Sequence, residues 1–151
     1  MDATRIHLLI THLPLFGLFI GWLVLIYGLI RREKQVKIVS LLIFIIATVG
    51  AVISYQSGES AEDKVEDITG ISEDAIEEHE ESAEATIALF YGLGILSCVG
   101  LFMQAKEKKY TKELLLILLF AGAITFYFVA RTASLGGVIR HTEIIDANKP
   151  G

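Results

Sequence analysis

Cross-links and helix breakers are scarce in this sequence. Its 151 residues include one cysteine, Cys98, and two prolines, Pro14 and Pro150. A lone cysteine closes no disulfide within the chain, so no disulfide framework holds the fold and the redox compartment is not legible. Cys98 falls in an apolar stretch and reads as a buried structural thiol. No Ser-His-Asp grouping, phosphate loop or dinucleotide-binding glycine pattern appears, which argues against a cofactor-free hydrolase or a nucleotide enzyme. Charge is missing from four long stretches: 6–30, 38–55, 85–105 and 114–130 contain no Asp, Glu, Lys or Arg.

Those stretches dominate the chain. Hydrophobic residues make up 53% of it and the mean hydropathy is +0.57, beyond the ordinary soluble range. A hydrocarbon core about 30 Å thick is crossed by about 20 apolar helical residues. Lipid leaves backbone amides no partner except one another, and unbroken apolar runs without strand alternation satisfy that need as helices. The expected fold is therefore all-α, an integral membrane four-helix bundle forming one domain over residues 1–151. The run at 6–30 is too long for a signal peptide and has Asp2 as well as Arg5 before it, so it reads as a retained helix.

Orientation follows from the bases, which stay preferentially on the cytoplasmic side in short loops. Arg31, Arg32, Lys34 and Lys37 separate the first two runs, and Lys106, Lys108, Lys109 and Lys112 separate the last two. Both termini and the segment 56–84 then lie outside. Twelve of the eighteen acidic residues sit in that outer segment, with Lys64 as its only base, a composition with no attraction for nucleic acid. Ser57 can cap a short helix over 58–66. Ser72 followed by Glu73 and Asp74 reads as a helix start, so the third helix is expected to begin near Ser72 and stand above the membrane.

All four histidines, His7, His12, His79 and His141, fall in outer-side segments. His12 precedes Leu13 and Pro14, and proline withholds the amide that the Ile10 carbonyl needs, so a kink or a helix start is expected there. His7 and His12 are separated by ~7.5 Å along a regular helix and ~140° around it, and share a ligand only if the kink turns them together. An intramembrane ionisable residue is a functional candidate by default, and His12 is the deepest of the four. His79 stands among Glu77, Glu78, Glu80, Glu81 and Glu84, which is either a solvated face or a set of nitrogen and oxygen ligands. His141 follows Gly136 and Gly137, a pair able to fold the tail back over the bundle. Glu59 and Glu62 add carboxylates to the same side. Arg131 and Arg140 put positive charge there, against the topological trend, to pair either with the acidic segment or with an anionic ligand such as haem propionates.

Gly17 and Gly21 on the first run, and Gly92, Gly94, Gly100 and Gly122 on the third and fourth, read first as sites of close helix packing and second as space for a flat cofactor. The aromatics Trp22, Tyr27, Phe90, Tyr91, Tyr127 and Phe128 read as core or lipid-facing surface.

His7 and His12 with Leu13 and Pro14, the Ser57, Gly58, Glu59 exit, the His79, Glu80 step and the run from Gly136 and Gly137 to His141 together resemble the DUF2231 type of bacterial membrane protein over nearly the whole chain. The resemblance implies a respiratory or redox setting, since similar modules occur joined to cytochrome c domains. It carries no ligand assignment, and with no CxxCH in this chain covalent haem attachment is excluded.

Three functions compete. The leading one is a membrane electron-transfer accessory protein, not an enzyme by itself. It binds haem b through His12 and His79 and sits in a bacterial inner membrane with its acidic face toward the periplasm. The second is a non-haem iron, copper or zinc site, mononuclear or dinuclear, from His7, His12, His79 and His141 with Glu59, Glu62 or Glu80. The third is a cofactor-free subunit whose acidic cap docks a basic partner such as a cytochrome c. A homodimer is compatible with all three.

Overall fold

A computed structural model of the chain describes the backbone of residues 3–62 and 73–147 and the side chains of 12–57 and 77–136. Four α-helices account for nearly all of it: α1 Ala3–Arg31, α2 Lys34–Glu62, α3 Glu73–Ala105 and α4 Thr111–Ala147. Each apolar run lies inside one helix, and all four helices are long and apolar enough to cross a membrane. The fold is an all-α four-helix bundle of membrane-spanning type.

Every helix outruns its apolar run, because hydropathy registers only the part immersed in lipid. α3 carries twelve residues before Ala85, about 18 Å of helix. Its start at Glu73 is where the acidic N-terminal signature places it. α2 and α4 depart from expectation. Ser57 does not cap a new helix, because α2 continues to Glu62 and the Ser57 hydroxyl donates back to the Ser54 carbonyl at 2.9 Å, as helical serines do. α4 continues through Gly136 and Gly137 to Ala147, so the pair makes no hinge in the described backbone. Two helical glycines cost on the order of 1 kcal/mol each relative to alanine, and for Gly136 packing against a neighbour supplies a reason, given below. Likewise α1 starts at Ala3 and runs through Pro14 instead of starting there.

Packing is between sequence neighbours. α1 meets α2, α2 meets α3, α3 meets α4, and α4 closes the ring on α1, while among the described residues the backbones of the diagonal pairs α1/α3 and α2/α4 come no closer than 8 Å between Cα atoms. Side chains meeting on the axis are fully buried: Leu18 and Leu25, Leu41 and Phe44, Phe90 and Leu93, Leu115 and Leu118. Lipid is as apolar as these residues, so close contact is what selects the arrangement. A Cβ on Gly17 would come within 3.0 Å of the Ala47 Cβ, and one on Gly94 within 2.8 Å of Thr48. The glycines of the first and third helices thus serve close packing, apart from Gly92, which meets nothing within 4 Å.

A few polar links pin the apolar faces. The Trp22 indole donates to the Leu119 carbonyl at 2.9 Å, joining α1 to α4. The Thr48 hydroxyl bridges the Phe44 and Phe90 carbonyls at 2.9 and 3.2 Å, joining α2 to α3. Cys98 corrects its sequence reading: it is on the exposed face of α3, where a thiol is apolar enough to face hydrocarbon.

At the basic end both connections are short and alike. Arg32 (φ 57°) and Glu107 (φ 52°) adopt the left-handed conformation just past a helix end. The Glu33 amide then reaches the Gly28 carbonyl at 3.1 Å and the Lys108 amide the Met103 carbonyl at 3.0 Å, the bond that closes a Schellman cap. Lys34 crosses from one turn to the other and meets Glu107 at 2.7 Å. The hydrogen bond from Lys34, and then its charge, hold the Glu107 carboxyl below its ordinary value of 4.5.

Candidate functional site

The opposite, acidic end is where the bundle opens. All four helices contribute to a cavity of about 590 Å³ there, within the usual range for small-molecule and cofactor sites. α1 supplies His12, Pro14 and Leu15, and α2 supplies Ala51, Ser54 and Tyr55. The α3 lining comes from His79, Glu80, Ala83, Glu84, Thr86, Ile87 and Phe90, and the α4 lining from Val129, Thr132, Ala133 and Gly136. Both helical spacings are regular: 79, 83, 86, 87 and 90 form one stripe of α3, and 129, 132, 133 and 136 one stripe of α4. Alanine and glycine at the upper positions leave room, and Phe90, fully buried, closes the inner end.

His12 and His79 therefore face one space from diagonal helices whose backbones do not approach each other. They are held differently. His79 is partly buried, and a Cβ on Gly136 would lie 3.1 Å from its Cε1, 3.7 Å from Nδ1 and 3.8 Å from Nε2. Glycine at 136 thus lets the imidazole lie against the α4 backbone, which is the packing reason for keeping a glycine inside that helix. The Nδ1 atom is buried with no hydrogen-bond partner. His12 is exposed, and its ring contact is with Phe16 of its own helix at 6.3 Å between centroids.

Beside His79 a hydroxyl cluster ties α3 to α4. Ser82 Oγ and Thr132 Oγ1 are 2.7 Å apart, and Thr86 and Thr132 are 2.9 Å apart. Thr86 also donates to the Ser82 carbonyl and Thr132 to the Phe128 carbonyl. Three hydroxyl protons serve four contacts, so the cluster has no proton to spare and Ser82 is sealed from the surface.

Arg131 meets Glu78 at 3.0 Å with both side chains partly exposed, the pairing with the acidic segment that is the commoner of its two expected roles. Glu80 lines the cavity, as does Glu84, one of the carboxylates around His79 that sequence reasoning weighed as either a solvated face or a ligand set. The side chains of His7, His141, Glu59, Glu62 and Arg140 lie outside the described residues. Among the described residues no three of His, Cys, Asp and Glu gather closely enough to hold a metal ion. Of the aromatics, Tyr27, Tyr91 and Tyr127 face outward, whereas Phe90 belongs to the site.

Ala51, Ala83, Thr86, Thr132 and Ala133 were not singled out by sequence reasoning, and Gly136 was read only as half of a flexible pair. The signal available was the small-residue stripe of α4, which has helical period but extends beyond the last apolar residue and so reads as tail. Comparison with protein-family models, curated proteins and solved structures finds no match for this chain.

Proposed function

We propose that the chain is a small membrane redox protein that carries haem b in this cavity, with His12 and His79 as its axial ligands. The observation that supports the reading best is the pair of imidazoles facing one space of about 590 Å³ from opposite corners of the bundle. His12 and His79 would hold a planar group from either side of the space between their helices. Haem supplies one-electron transfer when bound. The chain's own groups would do the rest: Leu15, Ile87, Phe90 and Val129 would exclude water from the inner wall, and glycine at 136 leaves room for the His79 ring against α4. Arg131, and Arg140 further along α4, are the cations for propionates, Arg131 by exchanging Glu78 for the ligand.

By the positive-inside rule the turns at Arg32 and Glu107 are cytoplasmic and the cavity faces the periplasm of a bacterial inner membrane. The DUF2231 resemblance agrees with a respiratory setting, and the acidic α3 extension suits a basic donor or acceptor such as a cytochrome c. A non-haem iron, copper or zinc centre is the second reading; Glu80 and Glu84 line the cavity with both imidazoles, and as placed no three of these groups are close enough to share a metal, so it would require them to draw together.

Absorption spectra of the detergent-purified protein, oxidised and dithionite-reduced, with elemental analysis of the same sample, test the proposal. The expected result is a Soret band that shifts on reduction, with iron in step, and that is lost in His79→Ala. Stoichiometric metal without a Soret band would favour the non-haem centre, and neither would leave the docking subunit.

A further inference from the structure

We infer that His12 is a displaceable ligand, and that the cavity admits a small neutral gas molecule to the iron position that His12 vacates. This rests on the haem reading above and adds ligand exchange to electron transfer.

The argument is the unequal support of the two histidines. His79 sits against the α4 backbone at van der Waals distance from Gly136. One turn further along, Ser82, Thr86 and Thr132 lock α3 to α4 at that level. His12 has none of this. Its ring is exposed and contacts Phe16 four residues along its own helix. Among the described residues the α1 and α3 backbones come no closer than 8 Å between Cα atoms, so packing relates His12 to His79 only through α2 and α4. Two residues on, Pro14 brings no amide to the helix ladder, so the turn that carries His12 is one hydrogen bond short. A ligand on such a turn leaves and returns at low cost.

The orphaned Nδ1 of His79 points the same way. A ligating histidine ordinarily donates its second ring N–H to a carboxylate or carbonyl, which raises its basicity toward the metal. With no acceptor at Nδ1, His79 is a moderate donor and leaves the iron receptive on its opposite face. The lining then selects the incoming molecule by charge. The apolar walls at Leu15, Ile87 and Val129 accept a neutral diatomic, whereas Glu80 and Glu84 repel an anion. In the exchange the bond from iron to His12 breaks and one from iron to the gas forms. No electron moves, and the freed imidazole stays on α1 with its ring exposed.

Carbon monoxide is the probe, added to the dithionite-reduced full-length protein in detergent. The expected result is a shifted Soret band and new visible bands, with azide leaving the oxidised spectrum unchanged. His12→Ala retains its haem, is five-coordinate when reduced, and binds CO more tightly. If His12 holds the iron about nine-tenths of the time, removing it raises the apparent affinity ~10-fold. His79→Ala loses the haem. A haem protein whose reduced spectrum ignores CO overturns the inference and leaves the haem reading standing. Loss of haem from His12→Ala with retention in His79→Ala reverses the assignment, and a tight azide complex overturns the selection by charge. Absence of any Soret band overturns both readings, and the wild-type CO measurement stands even where a variant fails to accumulate.

Discussion

The two ends of the bundle use the same four helices to opposite effect. Toward the basic end the axis is filled by large residues without visible surface, Leu25, Leu41, Leu115 and Leu118, and Gly100 lets them close up. The helix ends are capped in short turns and the turns are tied by Lys34 and Glu107. Toward the acidic end Ala51, Ala83, Ala133 and Gly136 take the corresponding positions, and the space they leave is the cavity. Side-chain volume separates a filled end from an open one. Buried polar groups do not follow the same division: Ser40, Ser97, Gln104 and Thr125 are buried away from the cavity, with Ser40 and Thr125 bonded back to carbonyls of their own helices. What sets the acidic end apart is a pair of imidazoles beside open space.

The largest expected effect comes from making the filled region resemble the open one. Phe44 is fully buried and touches the space over Gly21 and Gly122. Phe44→Ala should destabilise the bundle by about 3 kcal/mol, the low end for such truncations, since surrounding lipid removes part of the transfer term and leaves the packing loss. The reverse experiment, Ala83→Leu, adds bulk to a cavity already present, so stability should hold to within about 1.5 kcal/mol while cofactor binding is lost. Denaturant titration in micelles with the absorption spectrum as second readout distinguishes the two. If Ala83→Leu costs as much as Phe44→Ala, the contrast between the ends is wrong.

Gly136→Ala sharpens the contrast within one residue. Alanine favours the helix by up to about 1 kcal/mol, but its Cβ would lie 3.1 Å from His79 Cε1, so the ring must give by a few tenths of an ångström. Helix content and melting of the ligand-free protein should be unchanged or improved, while the retained cofactor falls. A variant that melts lower with full cofactor would mean that Gly136 serves the helix pair and not the histidine.

A smaller effect is expected at the other end. Arg32 holds a left-handed backbone that costs a non-glycine residue roughly 1–2 kcal/mol. Arg32→Gly should therefore stabilise the protein by about 1 kcal/mol, less what glycine gains in the unfolded chain. No change in melting would show that the turn relaxes around arginine.

The spans were legible in the sequence because absent charge over about 20 residues has one physical solution in lipid. The start of α3 was legible too, since Glu73 and Asp74 mark a helix N-terminus wherever they stand. His12 and His79 were paired from sequence because each belongs to an outer segment of a different helix, and both do line the cavity. What the chain does not announce is empty space. Ala83, Ala133 and Gly136 look like any small residues until four helices are assembled around them, and glycine after an apolar run reads as a terminator although α4 passes through it. Ser57 misled for a related reason: the same hydroxyl that caps a helix from outside bonds back to a carbonyl inside one.

The weakest effect isolates electrostatics at the filled end. Glu107 lies outside the apolar spans, and Lys34 lowers its carboxyl below the ordinary 4.5 through a 2.7 Å hydrogen bond and its charge. A carboxyl depressed in the folded state contributes stability above its unfolded value and loses it as pH falls through the folded one. Glu107→Gln should thus be slightly less stable than the parent at neutral pH and low salt. The difference should vanish well below pH 4.5, and also at high salt, because the pair is exposed and screened. Glu107 also carries a left-handed backbone, so a difference that persists in acid and in salt would belong to the turn's conformation. Glu107→Gly then decides between the two, since it removes the charge and the strain together and melts higher than Glu107→Gln only if the strain is real.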